Sequence, residues 1–444
     1  MIKVVIIGAG SGFGANTVVD ILSYEELRDS EIVLVDINPS HLDPIAAYAR
    51  KVVEHHKAPT KITTALDWRD GALDGAGYVI TSFAQGGPAY QGVPFHYEMS
   101  IPHEYGIHQN IGDTAGIGGV FRTMRTAPEM VAIGKDLERR SPGAWLLNYV
   151  NPMSMLTRIM NLACPGINTL GLCHNVQYTI RHIATRLGCS HKDLRFVAAG
   201  VNHMLWFLRV EYLDGRDAYP DFLEGIERMK DDGQYMPVQH DLLKQLGYWT
   251  TESPGHCAEY LPYYMARKED REEAGLEIRE TSPEFDGTAP RWTPESHIMQ
   301  QLSGARPLAI ERGFEYGVHI MHGLETAAVH RAHLNVINHG MIENLPDGYC
   351  VEVPCTIDRT GVSPHHVGAL PIHLAALCRG MADMQTLASD AFLEKDLAKA
   401  YLACVIDPCT AASATPARIK ECFNKLLEAD RKWLEPYWGK DLAL

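Results

Sequence analysis

The run Lys3-Val4-Val5-Ile6-Ile7-Gly8-Ala9-Gly10-Ser11-Gly12-Phe13-Gly14 decides the fold. A short apolar strand flows into a glycine-bearing turn, and a helical pattern begins where the turn ends. A second apolar run, Ile32-Val33-Leu34-Val35, is closed by an acid, Asp36. Strand, glycine turn, helix, strand, acid is the order in which a dinucleotide-binding unit is built. Glycines let the main chain turn tightly and approach a pyrophosphate, whose charge meets N–H groups at the helix start. A carboxylate about 20 residues further on accepts hydrogen bonds from the adenosine ribose. The chain is therefore expected to begin by holding NAD. The turn departs from the strict G-x-G-x-x-G spacing, because Phe13 stands where the third glycine belongs, between Gly12 and Gly14.

Outward from this turn, short apolar runs alternate with amphipathic stretches, the rhythm of parallel βαβ units. Strands are expected at Val4–Ile7, Ile32–Val35, Lys61–Thr64, Tyr78–Ser82, Trp145–Leu147 and Thr169–Leu172. Helices are expected at Ser40–His55, Gly119–Arg139 and Pro152–Cys164. In an open α/β sheet, ligands collect at the carboxyl ends of the strands. Those ends read Asp36-Ile37-Asn38, Phe83-Ala84-Gln85-Gly86-Gly87, Asn148-Tyr149-Val150-Asn151-Pro152 and Cys173-His174-Asn175, each polar or glycine-bearing after an apolar strand. From Arg195 the rhythm changes to strand-like runs (Arg195–Ala198, Leu205–Tyr212, Ala332–Ile337, Tyr349–Thr356) and long helical stretches. The expected class is α/β, a Rossmann-type parallel sheet in residues 1–194 with a C-terminal α+β domain in residues 195–444.

The bulk numbers fit that class. A chain of 444 residues exceeds one compact core, and 46% hydrophobic with 21% charged residues is ordinary for a globular enzyme. The net charge is −15 without a basic stripe, which argues against nucleic acid and anionic membranes as partners. None of the ten cysteines forms a CxxC pair, so no disulfide framework is expected. The N-terminal apolar run is too brief for a signal peptide and no segment has the apolar length to span a bilayer, so a cytoplasmic protein is expected.

Three clusters carry chemistry. In Gly171-Leu172-Cys173-His174-Asn175 a thiol and an imidazole stand at the end of a strand. About 30 residues on, Gly200-Val201-Asn202-His203-Met204 is a polar break between apolar runs. Cys173 and His203 together offer two ligands to a metal and leave positions open for substrate oxygens. The third cluster is Glu252-Ser253-Pro254-Gly255-His256-Cys257-Ala258-Glu259-Tyr260-Leu261-Pro262-Tyr263-Tyr264. A tyrosine acts as a base where a nearby cation stabilises its phenolate. The residues alone leave open a plainer reading: a buried structural thiol, a surface histidine, and an aromatic packing cluster with one solvated glutamate.

Taken together, the clusters resemble glycoside hydrolase family 4, the NAD-dependent glycosidases related in fold to lactate and malate dehydrogenases. The resemblance runs nearly the full length, through Gly112-Asp113-Thr114, Leu147-Asn148-Tyr149-Val150-Asn151-Pro152-Met153, the two metal-type clusters, Glu259-Tyr260 and Val351-Glu352-Val353. It implies a reaction in which NAD⁺ oxidises C3 of the sugar, a tyrosine removes the C2 proton, and the aglycone is eliminated. Water then adds, and hydride returns, giving hydrolysis with retention. By resemblance, Cys173 and His203 ligate Mn²⁺, Tyr260 is the C2 base with Tyr263 and Tyr264 as neighbours in the alignment, and His174 protonates the leaving oxygen. By resemblance, Asn151 and Asp113 bind sugar hydroxyls or buttress the metal site, Asn175 contacts the sugar, and Gly8, Gly10, Ser11, Gly12 and Asp36 hold NAD⁺. Members acting on 6-phosphorylated sugars carry Asp-Met-Pro or Asn-Val-Pro after the metal cysteine. Here His174-Asn175-Val176-Gln177 is most similar to the Cys-His-Ser-Val-Gln of α-galactosidases, with Asn175 in place of serine.

The resemblance thus implies an α-galactosidase acting on an unphosphorylated α-glycoside, with α-glucosidase and α-glucuronidase or α-galacturonidase as sibling readings. It also implies a homodimer or homotetramer. Two rivals use the same fold: a dehydrogenase of a sugar or hydroxy acid, and an NAD-dependent sensor without catalysis.

Overall fold

The computed structural model describes residues 1–86, 90–228, 233–287 and 291–444. Gly87, the last residue of the strand-end segment expected at 83–87, lies outside the described residues. Strands β1 (Ile2–Ile7), β2 (Ser30–Val35), β3 (Lys61–Ala65), β4 (Tyr78–Thr81), β5 (Trp145–Asn148) and β6 (Asn168–Gly171) pair in parallel, in the order β3-β2-β1-β4-β5-β6. The strands expected from the apolar runs are all present. The apolar runs of β1, β2 and β4 follow from burial on both faces, whereas β3 is the partly exposed edge strand. Helices α1 (Gly12–Leu22), α2 (Pro39–His55), α3 (Phe95–Glu104), α4 (Gly116–Arg140) and α5 (Met153–Ala163) lie between these strands in the chain, and α6 (Asn175–Leu187) follows β6. Strand order reverses between β1 and β4, and the crevice at such a switch point is where an open α/β sheet binds its ligand.

Local sequence explains the helix starts nearest that crevice. Ser11 caps α1 by accepting from the Gly14 N–H, and Asn38 caps α2 by accepting from the Ser40 N–H at 3.0 Å, with Pro39 in the first turn.

The sheet continues past β6. The second half of the chain adds β7 (Leu194–Val201), β8 (Met204–Tyr212), β9 (Trp249–Thr250), β10 (His330–Ile337), β11 (Cys350–Asp358) and β12 (Gly361–Pro364). Beyond β6 the order runs β10-β11-β7-β8-β9, all antiparallel, with β12 on β11. The join is narrow: Asn335 of β10 opposes Gly171 at the end of β6. Among the described residues no helix is long and apolar enough to cross a membrane.

This arrangement places the chemistry. β6 ends at Gly171, so Cys173 and His174 emerge at the carboxyl edge of the parallel sheet. β7 and β8 form a hairpin in which Val201 pairs with Met204, so Asn202 and His203 are its two-residue turn. The helix Pro254–Glu259 leads straight into Tyr260.

Candidate active site

A cavity of about 430 Å³ opens at the ends of β1, β2 and β4. Gly8, Gly10, Ser11 and Asp36 line it, as the sequence pattern requires. Gly8 has φ +87°, and a Cβ on it would lie 2.3 Å from the Ser82 carbonyl oxygen, so only glycine fits. The Asp36 carboxylate accepts from the Gly10 N–H at 2.8 Å and the Asn38 N–H at 3.0 Å. Gly12 stands off the cavity wall at the start of α1, where an added Cβ would meet only Trp292, at 3.9 Å. The irregular glycine spacing also has its reason here. An added Cβ on Gly14 would lie 2.2 Å from the Ala9 carbonyl oxygen, so Gly14 makes the close helix–strand approach usually served one residue earlier.

The second feature is a buried cluster. Cys173, His203 and Glu252 bring one ligand atom each to within 4.8 Å of one another, the one such grouping among the described residues. Cys173 Sγ lies 3.7 Å from Glu252 Oε1, and His203 Nε2 lies 3.3 Å from the same oxygen. His203 and Glu252 both have left-handed backbone, φ +65° and +85°. For non-glycine residues that costs on the order of 1–3 kcal/mol each, and it persists where surrounding structure over-determines the site.

Glu252 belongs to this grouping, and sequence reasoning did not single it out. The signal was its i, i+4 spacing from His256 inside the tyrosine cluster, but nothing local ties it to Cys173, 79 positions away. His256 was missed too. Its Nδ1 lies 3.2 Å from Glu252 and its Nε2 3.4 Å from Asp113. Burial disfavours the His256 cation, but Glu252 and Asp113 outweigh it and hold its pKa well above the usual range. Asp113 is depressed in turn: burial opposes ionisation, yet His256 and Arg122 keep the carboxyl well below its ordinary value. Burial brings His203 down to about 4, leaving a neutral imidazole with a lone pair to offer.

Around this cluster stand the other expected residues. Asn151 donates to Asp113 at 2.8 Å, as does the Tyr90 hydroxyl at 3.2 Å. Asn175 donates its amide to Cys173 Sγ at 3.0 Å. His174 is half-exposed, with Nδ1 3.4 Å from Glu315. Tyr260 is 1% exposed, its ring 5.9 Å from that of His203, and its hydroxyl has no hydrogen-bond partner among the described residues. Tyr264 differs, because it donates to Asp241 at 2.8 Å, and Tyr263 is exposed.

Comparison with known proteins gives this arrangement a family. Residues 3–189 match the family 4 glycosyl hydrolase model, and residues 198–410 match the family 4 glycosyl hydrolase C-terminal domain. The chain belongs to glycosyl hydrolase family 4. Among family 4 relatives, it is 35% identical to an α-galactosidase of Bacillus subtilis over 440 residues, covering 98% of this chain and 100% of the relative. It is 29% identical to an α-galacturonidase of the same organism over 452 residues, covering 96% and 97%. In fold it matches the 6-phospho-β-glucosidase of Thermotoga maritima, solved with manganese, NAD⁺ and glucose-6-phosphate. That match has a TM-score of 0.77 at 22% identity, covering 97% of this chain and 99% of that one.

The residues present fit both cofactors of such a family 4 site. A thiol, a neutral imidazole and a carboxylate form three faces of an open coordination shell, and the hard carboxylate oxygen suits Mn²⁺ better than a thiol–imidazole pair alone. Burial, together with Glu252 and Glu352, holds the Cys173 thiol well above its usual pKa, so a cation is what would make it a thiolate. The cradle at Gly8, with Asp36 beyond it, fits a dinucleotide.

Proposed function

We propose that the protein is an NAD- and Mn²⁺-dependent glycosidase that cleaves unphosphorylated α-galactosides with retention. One observation carries this reading: Tyr260, with an unpartnered hydroxyl, stands beside the grouping of Cys173, His203 and Glu252. When bound, NAD⁺ supplies a reversible hydride acceptor for C3 and Mn²⁺ a Lewis acid for the C2 and C3 oxygens, so that the C2 proton becomes acidic. Cys173, His203 and Glu252 would hold the metal. Gly8, Gly10 and Ser11 would approach the pyrophosphate and Asp36 the ribose, with Gly12 opening the helix behind them. Tyr260 takes the C2 proton. In the structure its pKa stands well above the ordinary value through burial and the charges of Asp113 and Glu252. A cation held by Cys173, His203 and Glu252 would oppose the electrostatic part of that shift.

His174 holds the proton for the leaving oxygen. Glu315 favours its charged form, against a smaller burial effect, and raises its pKa. Asp113 and Asn151 are joined by a hydrogen bond and would share the sugar hydroxyls. Asn175, which donates to Cys173, would orient the thiolate as well as touch the sugar.

Residues 1–194 would hold the cofactor while 195–444 complete the metal site. The ten free cysteines support a cytoplasmic setting, and family membership supports a homodimer or homotetramer.

A specific observation favours a second substrate, an α-galacturonide. The guanidinium groups of Arg122 and Arg279 lie 5.6 and 5.2 Å from the Tyr90 ring centre, and Tyr90 donates to Asp113. Two cations there would meet a sugar carboxylate. The test is turnover of p-nitrophenyl α-galactoside, α-glucoside and α-galacturonide, each with and without NAD⁺, Mn²⁺ and thiol. Cleavage of the galactoside that needs all three additions is expected. Preference for the galacturonide would replace the substrate, and net NADH accumulation without aglycone release would replace the reaction class with a dehydrogenase.

A further inference from the structure

Glu259 is buried, at 3% exposure, inside a stretch that reads as polar and aromatic. It ends the helix Pro254–Glu259, immediately before Tyr260. Its Oε1 accepts from the backbone N–H groups of Asn110, Ile111 (2.5 Å) and Gly112 (3.2 Å), and its Oε2 from Gly112 (3.1 Å). Three successive N–H groups converging on one acceptor form a nest, here filled by the protein's own carboxyl group, whose pKa burial pushes up to about 7 against His256 and those bonds. The next residue of that loop is Asp113.

The helix therefore grips the loop at two points, its main chain through Glu259 and its Asp113 side chain through His256 at 3.4 Å. Contact between them is close. A Cβ on Gly255 would lie 2.0 Å from Asn110 Oδ1, so any larger residue there would have to displace the Asn110 side chain. The far side of the loop is held separately, by Asp407 accepting from the Gly116 N–H at 3.1 Å and Gln109 accepting from the Gly118 N–H at 2.9 Å. Of these ties, only Glu259 is adjacent in sequence to Tyr260.

We propose that Glu259 is a positioning residue for the reaction: it fixes the Asp113 loop against Tyr260, so that a sugar held by Asp113 presents its C2 proton to the Tyr260 hydroxyl. This rests on the roles given above to Asp113 and Tyr260. Glu259 touches no substrate. It acts by holding two groups, from positions 113 and 260, in one geometry, and misplacement of about 1 Å costs roughly 100-fold in rate.

The test is Glu259→Gln in the full chain, which keeps the side-chain shape and one acceptor oxygen but removes the ionisable oxygen and sets an NH₂ group against the Gly112 N–H. Backbone amide exchange over residues 110–112 should accelerate, while the melting temperature stays near that of the unaltered protein. With p-nitrophenyl α-galactoside, NAD⁺ and Mn²⁺, kcat should fall roughly 10- to 100-fold with KM changed less than about threefold. The C2-deuterium isotope effect on kcat should rise, which a loss of folded protein alone would not produce. Unchanged amide exchange, or unchanged kcat with an unchanged isotope effect, overturns the proposal. The exchange arm needs no substrate, so failure of the unaltered protein to cleave any glycoside would count against the proposed activity, and the exchange result would still decide whether Glu259 anchors the loop.

Discussion

Tyr260 is a polar residue in an apolar place, and its hydroxyl has no hydrogen-bond partner among the described residues. A buried, unsatisfied hydroxyl destabilises, a cost that the proposed role of Tyr260 as the C2 base would account for. Tyr260→Phe removes the proposed base while keeping the ring. Its kcat is expected to fall by about 10²- to 10⁴-fold, with a melting temperature equal to or above that of the unaltered protein; parallel kinetics and thermal unfolding check both. Cys173→Ser exchanges a soft ligand for a weak hard one. Loss of Mn²⁺ affinity should exceed the roughly 10- to 100-fold that removal of a supporting partner costs, as read by calorimetry. Near-normal Mn²⁺ binding and turnover would remove Cys173 from the metal shell.

Two turns do the work at the scale of elements. The β1–α1 turn brings main chain close to a ligand, and its glycines answer separate steric demands: Gly8 against the Ser82 carbonyl, Gly14 against the Ala9 carbonyl. In Gly8→Ala a methyl group would enter a 2.3 Å space on a residue at φ +87°. NAD⁺ binding should weaken more than tenfold by calorimetry and stability should fall by about 1–3 kcal/mol by denaturant unfolding. The β7–β8 hairpin turn is the second device. Because Asn202 and His203 are its two turn residues, strand pairing on either side aims the imidazole at Cys173 and Glu252.

Across the whole molecule, the two halves are tied near the cofactor end by Asp20. This buried acid of α1 accepts from the Gly313 N–H at 2.6 Å, two residues before Glu315 and its His174 partner. Burial, and less strongly Glu315, push its pKa from 3.8 up to about 6, against the opposing Gly313 hydrogen bond and Arg312. Between pH 4 and 6 the folded protein keeps a proton that the unfolded chain has released, so this contribution to stability is full below pH 4 and is lost as pH rises through 6. Its size is at most about 3 kcal/mol. Asp20→Asn should flatten the difference in unfolding free energy between pH 4 and 6. An unaltered slope in denaturant titrations would show that Asp20 is not its source.

The parallel half of the fold was legible because each buried strand is an unbroken apolar run followed by a polar end, a pattern that local chemistry writes directly into sequence. Cys173, His203 and Tyr260 were legible as candidates by residue type and order. Glu252, His256 and the buried Glu259 were not, since their meaning lies in what they face. Within a tyrosine-rich stretch, a glutamate bound by three loop N–H groups reads the same as one bound by water. The sequence by itself determined the dinucleotide turn, the strand order's raw material and the inventory of reactive groups. Only the tertiary structure decided which of those groups meet. Coordination, pKa and proton transfer depend on distances of a few ångströms between residues far apart in the chain, and those distances exist only once the antiparallel half has docked beside β6.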